Sequence, residues 1–300
     1  MGRIRNSVRE VSLGASMTLK SYLNRLRTEV DKRLGDYGVL TDLTPDIKGK
    51  QLYRQWEIGF SCTIPEMTFL KGIVRSDDIV FDVGANIGEF TFFLSTIVLD
   101  GVIHAFEPQL KPFRVLRGVC HNIRNAHAHM MGFSSSSGEA TLFIPIIDGH
   151  ASPSEASVDP HFNDFSGYER RPKATGSVTE TIQLITLDEF FEREALDRLD
   201  FAKIDVEGHE LEILRGGSRV CLKKQRPVFL IEVFPYVYKG YWEAVCEYLA
   251  THDYVALVLT GDGFSLEPLT LRNANNSPGF NYFFVPHEKT KQISHLLGRL

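Results

Sequence analysis

The chain has 300 residues, 43% hydrophobic and 24% charged, the balance of an ordinary water-soluble globular protein. Its net charge of −5 argues against a broad nucleic-acid footprint, and no apolar run reaches the ~18 residues of a membrane span. Cys62, Cys120, Cys221 and Cys246 are far apart and show no C-x-x-C spacing, which excludes a recognisable zinc site or disulfide framework.

Residues 1–63 read as an N-terminal helical extension. Leu19, Leu23, Leu26, Val30 and Leu34 recur at helical spacing, Lys32 and Arg33 fall in the last turn, and Gly35 can cap it. This helix, over residues 1–35, is basic, so peripheral contact with a membrane is one reading. Its narrow apolar stripe lacks Trp and Phe and favours a helix packed on the domain. It also lacks the apolar core of a signal peptide, so a cytoplasmic protein with reduced thiols is expected.

From residue 76 the pattern alternates. Strands are predicted at 79–83, 102–106, 127–131, 200–205, 228–233, 254–259 and 281–285. Helices are predicted at 88–97, 110–123, 187–197, 208–215 and 240–251. Strands alternating with helices imply an α/β domain over 64–287, with a mostly parallel sheet covered on both faces and a short tail at 288–300. Ligands bind such sheets at the carboxyl ends of the strands. Residues 146–180 break the pattern with Pro153, Pro160 and Pro172, three glycines and several serines. A long polar loop inside a compact domain is usually functional or disordered, and this one reads as a substrate-side insertion in preference to a disordered loop.

The first chemical signal is IVFDVGANIGEFT, residues 79–91. An apolar strand stops at Asp82, turns through Gly84, Asn86 and Gly88, and opens a helix. Such a turn offers backbone N–H groups to a ligand. The next apolar run ends at Glu107, at the distance where an acid commonly bonds ribose hydroxyls. Both S-adenosylmethionine and a dinucleotide carry a ribose. Asp82 would repel a pyrophosphate but favours an ammonium or sulfonium, and the turn is G-x-x-x-G, not G-x-G-x-x-G. The pattern therefore favours S-adenosylmethionine, with a nicotinamide oxidoreductase as the alternative enzyme.

The second signal is DFAKIDVEGHELEILRGG, residues 200–217. Asp205, Glu207 and His209 reach the same rim as the glycine turn, and Glu232 arrives at the end of the next strand. A buried acid with acidic neighbours can serve as a general base, or the group can hold a divalent cation. Glu210 and Glu212 suit the helix dipole instead. His150 and His209 are further substrate-side candidates by virtue of their pKa range.

These blocks, with HAFEP (104–108), TLDEFF (186–191) and PVFLIEVFP (227–235), resemble the FkbM-type S-adenosylmethionine-dependent methyltransferases over about residues 64–287. The resemblance implies the class I methyltransferase fold, a Rossmann-like seven-stranded sheet whose last strand, Asn281–Val285, runs antiparallel. It implies that Asp82, Gly84, Asn86 and Gly88 hold the methionine part and Glu107 the ribose. Gly132, Phe133 and Ser134 would lie near the adenine, and Ala151-Ser152 matches a short family element. It also implies O-methylation of a sugar, glycan or polyketide-type hydroxyl, including lipid-linked sugars. Such a hydroxyl is a poor nucleophile at neutral pH, so a general base or a metal ion would help, and Glu207 or Glu232 is expected as base with Asp205 orienting the reactants. The chain departs from the family at its His-rich third strand, residues 127–131, and in its long insertion. A methyltransferase acting on protein or lipid, and a non-catalytic protein retaining the fold, are the other readings.

Overall fold

The computed structural model describes residues 45–59, 65–162, 174–234, 240–259, 266–270 and 280–296. The helix expected over 1–35 and the centre of the insertion, 163–173, lie outside them. Helices α1 (Pro45–Gly59) and α2 (Pro65–Ile73) precede the first strand, β1 (Ile79–Val83). Then come α3 (Glu89–Ser95), β2 (Val102–Phe106), α4 (Leu110–Cys120) and β3 (Ala126–His129). A second group follows: β4 (Gly132–Phe133), β5 (Gly138–Ile147), β6 (His150–Ala151) and β7 (Gly176–Ile185). The chain then runs through α5 (Leu187–Arg193), β8 (Phe201–Ile204), α6 (Glu210–Gly216), β9 (Val228–Glu232) and α7 (Tyr241–Ala250). It finishes with β10 (Tyr254–Leu259), β11 (Leu266–Pro268) and β12 (Asn281–Pro286).

The main sheet has the order β11-β10-β12-β9-β8-β1-β2-β3. Strands β3, β2, β1, β8 and β9 pair in parallel, and β12 pairs antiparallel with both β9 and β10. This is the expected α/β arrangement with its antiparallel last strand. It has eight strands, not seven, because β11 adds an antiparallel edge strand to β10. Order reverses between β1 and β8, so the switch point of the sheet lies beside the glycine turn.

Side-chain alternation on β1 sets the two faces. Phe81 and Val83 join Phe106, Ala202, Ile204, Phe229 and Ile231 in a core beneath α5, α6 and α7. Val80 points the other way, with Phe93, Leu94, Ile103, Phe201 and Leu230 beneath α2 and α3. Asp82 and Lys203 share that second face and are paired in register. Helix α5 starts at a capping sequence, where the Thr186 hydroxyl accepts the Glu189 N–H at 3.0 Å. The predicted helices end sooner than expected: 187–197 stops at Arg193 and 110–123 at Cys120.

Two expectations change. Strands reach into the insertion from both ends: β5 and β7 pair antiparallel from Gly138↔Leu184 to Ile146↔Gly176, and with β4 and β6 they form a second sheet. The tail also packs, since His287–Leu296 forms a 3-10 run whose Ile293 is buried against the α2 side of the core. Among the described residues no helix is long and apolar enough to cross a membrane.

Candidate active site

The glycine turn stitches β1 to β2. Gly84 and Ala85 both donate their N–H groups to the Phe106 carbonyl, at 3.0 and 2.9 Å. The Asn86 N–H donates to Glu107 Oε2 at 2.9 Å, and the Gly88 N–H to the Ala85 carbonyl at 2.8 Å. These amides are therefore engaged by the protein, contrary to the expectation that the turn would hold them open for a ligand. Gly84, Asn86 and Gly88 take φ of +79°, +49° and +94°. At Gly84 a Cβ would lie 1.8 Å from the Asp205 carbonyl oxygen, so the rims of β1 and β8 can meet only at a glycine.

Glu107 is the acid that this turn positions. The Gln109 N–H holds its Oε1 at 2.8 Å while Asn86 holds Oε2. Burial pushes its carboxyl up to about 7, against the two N–H donors that pull it down. Each carboxylate oxygen keeps lone-pair capacity beyond its backbone donor, as bonding to a ribose diol requires.

A cleft with an empty volume of about 660 Å³, open solvent included, joins the two signals. Gly84, Asn86, Glu107 and Phe133 line it on one side and Asp205, Glu207 and His209 on another. Asp82 and Gly88 do not line it. Asp82 is fully buried behind the turn and accepts a hydrogen bond from the Thr91 hydroxyl at 2.5 Å. Burial raises its pKa, opposed by Lys203 and Thr91. Gly88 is the residue at the start of α3 and is needed for its backbone conformation.

The acids of the second signal do converge. Carboxylate oxygens of Asp205, Glu207 and Glu232 all lie within 4.8 Å of one another. Asp205 also accepts from Lys203 Nζ at 2.7 Å, and Lys203 sits over the Phe90 ring at 5.3 Å. Burial alone would lower the Lys203 ammonium, but Asp205 and Asp82 outweigh it and hold its pKa above the ordinary value. Glu207 occupies a left-handed backbone position, φ +55°, which its surroundings fix from both sides. The buried Ser157 hydroxyl donates to the Glu207 carbonyl at 2.7 Å. On the far side the Gly208 N–H donates to Glu210 Oε1 at 3.0 Å, and the Tyr241 hydroxyl donates to Glu210 Oε2 at 2.8 Å. Glu210 is therefore a buried clamp on this turn, beyond the helix-dipole role its place in the sequence suggested.

The histidines divide. His209 Nε2 lies 3.0 Å from the Ser134 hydroxyl at the edge of the cleft, and burial lowers its pKa. His150 is exposed on β6 and does not line the cleft. The His-rich third strand is structural: His129 Nε2 lies 3.0 Å from His104 Nδ1, beneath Phe190. Sequence reasoning missed Lys203, whose spacing two before Asp205 on a strand was the available signal. It also missed Leu142, Ile182 and Leu184, which line the cleft from the second sheet.

Residues 82–256 match the model of the methyltransferase FkbM domain. The chain belongs to the FkbM methyltransferase family. Among its relatives are the "Methyltransferase 1" of Beauveria bassiana, 28% identical over 148 residues, covering 47% of this chain and 58% of that one. The hexuronic acid methyltransferase AglP of Haloferax volcanii is 33% identical over 146 residues, covering 47% and 51%. The matched region thus spans little more than half the length of these relatives. Aeropyrum pernix fibrillarin, solved with natively bound S-adenosyl-L-methionine, is 13% identical with a TM-score of 0.39 over 73% of this chain and 72% of that one. A SAM-dependent methyltransferase from Aquifex aeolicus is 14% identical with a TM-score of 0.35, over 74% and 87%. The cofactor of the family is S-adenosylmethionine. The donor set fits it: the Glu107 carboxylate lines the cleft and can accept from hydroxyls, and the acids beyond the turn suit a cationic group.

Proposed function

We propose that this protein transfers a methyl group from S-adenosylmethionine to a hydroxyl of a sugar, glycan or polyketide-type natural product. The observation that carries the reading is one cleft that joins Glu107 to the rim acids Asp205 and Glu207, with Glu232 within reach. The sugar-directed name of the Haloferax relative favours a sugar acceptor.

When bound, the cofactor supplies a sulfonium methyl that a well-aligned oxygen can take. Glu107 holds the ribose. Asp205, tied to Lys203, orients the acceptor hydroxyl. Glu207 or Glu232 takes its proton as the oxygen gains the methyl, which turns a poor nucleophile into a competent one. His209, hydrogen-bonded to Ser134, borders the acceptor.

The test is calorimetry with S-adenosylmethionine, followed by transfer of a tritiated methyl group into an extract. Glu207→Gln and Glu232→Gln should lower transfer by ~100-fold or more in one of the two, with cofactor binding retained. Full transfer in both variants rejects the base assignment. The same triad of carboxylates also suits a hard divalent cation, which would lower the pKa of the acceptor hydroxyl instead. Transfer abolished by a chelator and restored by Mg²⁺ would favour this second reading; transfer indifferent to the chelator rejects it.

A further inference from the structure

Glu207 carries its carboxylate on a backbone that a non-glycine residue seldom adopts. Its φ is +55°, and Gly208 follows at +97°. Such a conformation persists only where its surroundings over-determine it. Carboxylate oxygens of Asp205, Glu207 and Glu232 gathered within 4.8 Å of one another also repel when ionised, which pushes the turns that carry them apart. Glu210 and Tyr241 hold the Glu207 turn from the helix side. The hold on its other side comes from the insertion, through residues 157–162.

Ser157 is fully buried, and both of its backbone groups bond Phe143 of β5, the N–H at 3.0 Å and the carbonyl at 2.8 Å. That anchors it to the second sheet. Its hydroxyl donates to the Glu207 carbonyl at 2.7 Å and accepts the Asp159 N–H at 3.1 Å. The Asp159 carboxylate accepts the His161 N–H at 2.7 Å, and its carbonyl accepts the Phe162 N–H at 3.2 Å. These tight turns deliver the buried Phe162 ring onto Gly208, where a Cβ would meet the ring at 2.6 Å. The same ring lies edge-on to Phe234, with centroids 6.2 Å apart. Phe234 follows just after Glu232, so one side chain of the insertion touches both of the turns that carry a candidate base.

We propose that Ser157 and Phe162 are positioning residues for the reaction: Ser157 locks the backbone of Glu207, and Phe162 sets the Glu207 turn against that of Glu232. The insertion then governs the rate of transfer through the aim of Glu207 and leaves cofactor affinity alone. This rests on the reading of Glu207 as base, and the experiment separates the two.

Transfer of a tritiated methyl group from S-adenosylmethionine into the extract fraction that wild type labels is compared for Ser157→Ala, Glu207→Gln and the double variant. S-adenosylhomocysteine is titrated into each by calorimetry. Ser157→Ala should transfer roughly 10-fold more slowly or worse, with affinity within about twofold of wild type. In the Glu207→Gln background it should cost nothing further, because the hydroxyl then aims an acid already disabled. A merely structural serine would slow both backgrounds by the same factor, and that result overturns the proposal. So does wild-type transfer by Ser157→Ala, or a loss of affinity that matches the loss of transfer. Full transfer by Glu207→Gln removes the base reading itself, and this inference with it. Should Ser157→Ala fail to fold, Phe162→Leu takes its place in the same cycle. It should slow transfer by roughly threefold or more in wild type and not at all in Glu207→Gln. Unchanged transfer by Phe162→Leu, or an equal loss in both backgrounds, overturns the proposal.

Discussion

The two glycines of the turn should respond unequally to the same substitution. Both have left-handed backbone angles, so an alanine at either costs about 1–2 kcal/mol from conformation alone. At Gly88 the added Cβ meets the tip of Leu116 at 2.9 Å, and a flexible side chain can move aside. At Gly84 it meets a carbonyl oxygen, that of Asp205, at 1.8 Å. Reaching the 3.4 Å of ordinary contact requires the rims of β1 and β8 to part by about 1.6 Å. That displacement also breaks the bond from the Asp205 N–H to the Val83 carbonyl, 3.0 Å long, at a further cost of about 1 kcal/mol. Gly84→Ala should therefore destabilise the fold by about 2–3 kcal/mol in urea unfolding, and Gly88→Ala by about 1–2 kcal/mol. Binding should separate them more sharply. A shift of that size moves Asp205 away from the turn that positions Glu107, so S-adenosylhomocysteine should bind Gly84→Ala at least ~10-fold more weakly by calorimetry. Gly88→Ala should bind near the wild-type value. Equal affinities, or a weaker Gly88→Ala, would refute the idea that closure of β1 on β8 builds the site.

Other consequences follow from the buried groups. Burial holds Glu107 protonated up to about pH 7, whereas ribose hydroxyls donate to its ionised form, so cofactor affinity should rise from pH 6 to pH 8. Glu107→Gln should flatten that profile in calorimetry and bind more weakly; a flat wild-type profile counts against the ribose assignment. Burial lowers His104 to about 3 and His129 to about 4, far below the ~6.5 of an unfolded histidine. The unfolded chain therefore takes up protons first, so this pair's contribution is full above pH 6.5 and is lost as the pH falls toward 4. The stability difference between wild type and His104→Phe should shift by about 1–2 kcal/mol in favour of the variant between pH 7 and pH 5, read by urea unfolding. A pH-independent difference would reject a neutral, buried pair. Tyr241→Phe leaves the Leu211 N–H and Glu210 short of a partner, and should cost about 1–2 kcal/mol and loosen the turn that carries Glu207. Unchanged stability would show that Glu210 needs no clamp.

Legibility in the sequence followed the locality of the physics. The parallel strands were readable because β1, β2, β8 and β9 are short apolar runs ended by turns. Glu107 and the Asp205–Glu207 rim were readable because strand ends carry their acids to one edge of a parallel sheet. The extent and register of the β5–β7 pair were not. Its first strand carries Pro145, and its second opens on exposed, mostly polar residues and buries only Ile182 and Ile185 near its end. The pairing is long-range in sequence, so no local pattern fixes where it ends. The edge strand β11 is three residues long and falls below what a period-two pattern can signal. The role of Glu210 was hidden for a different reason. It depends on Tyr241, 31 residues away, and helix-dipole chemistry explains an acid there equally well from the sequence.

The choice of a sulfonium cofactor over a pyrophosphate first rested on Asp82, and the structure moves that argument to other residues. Asp82 is sealed behind the turn with Thr91, so it cannot meet a ligand phosphate directly. What faces the cleft is Asp205 and Glu207, with Glu232 beside them and Lys203 already paired with Asp205. Acids outnumber the lysine at that end among the described residues. A pyrophosphate would also need backbone donors, and the amides of Gly84, Ala85, Asn86 and Gly88 are spent on the Phe106 carbonyl, Glu107 and the Ala85 carbonyl. Both conditions for phosphate binding fail in the same place, while an ammonium and a sulfonium would meet carboxylates there. Asp82 keeps an indirect part in this. It shares Lys203 with Asp205 across the β1–β8 register, so its charge helps hold the lysine that holds the rim.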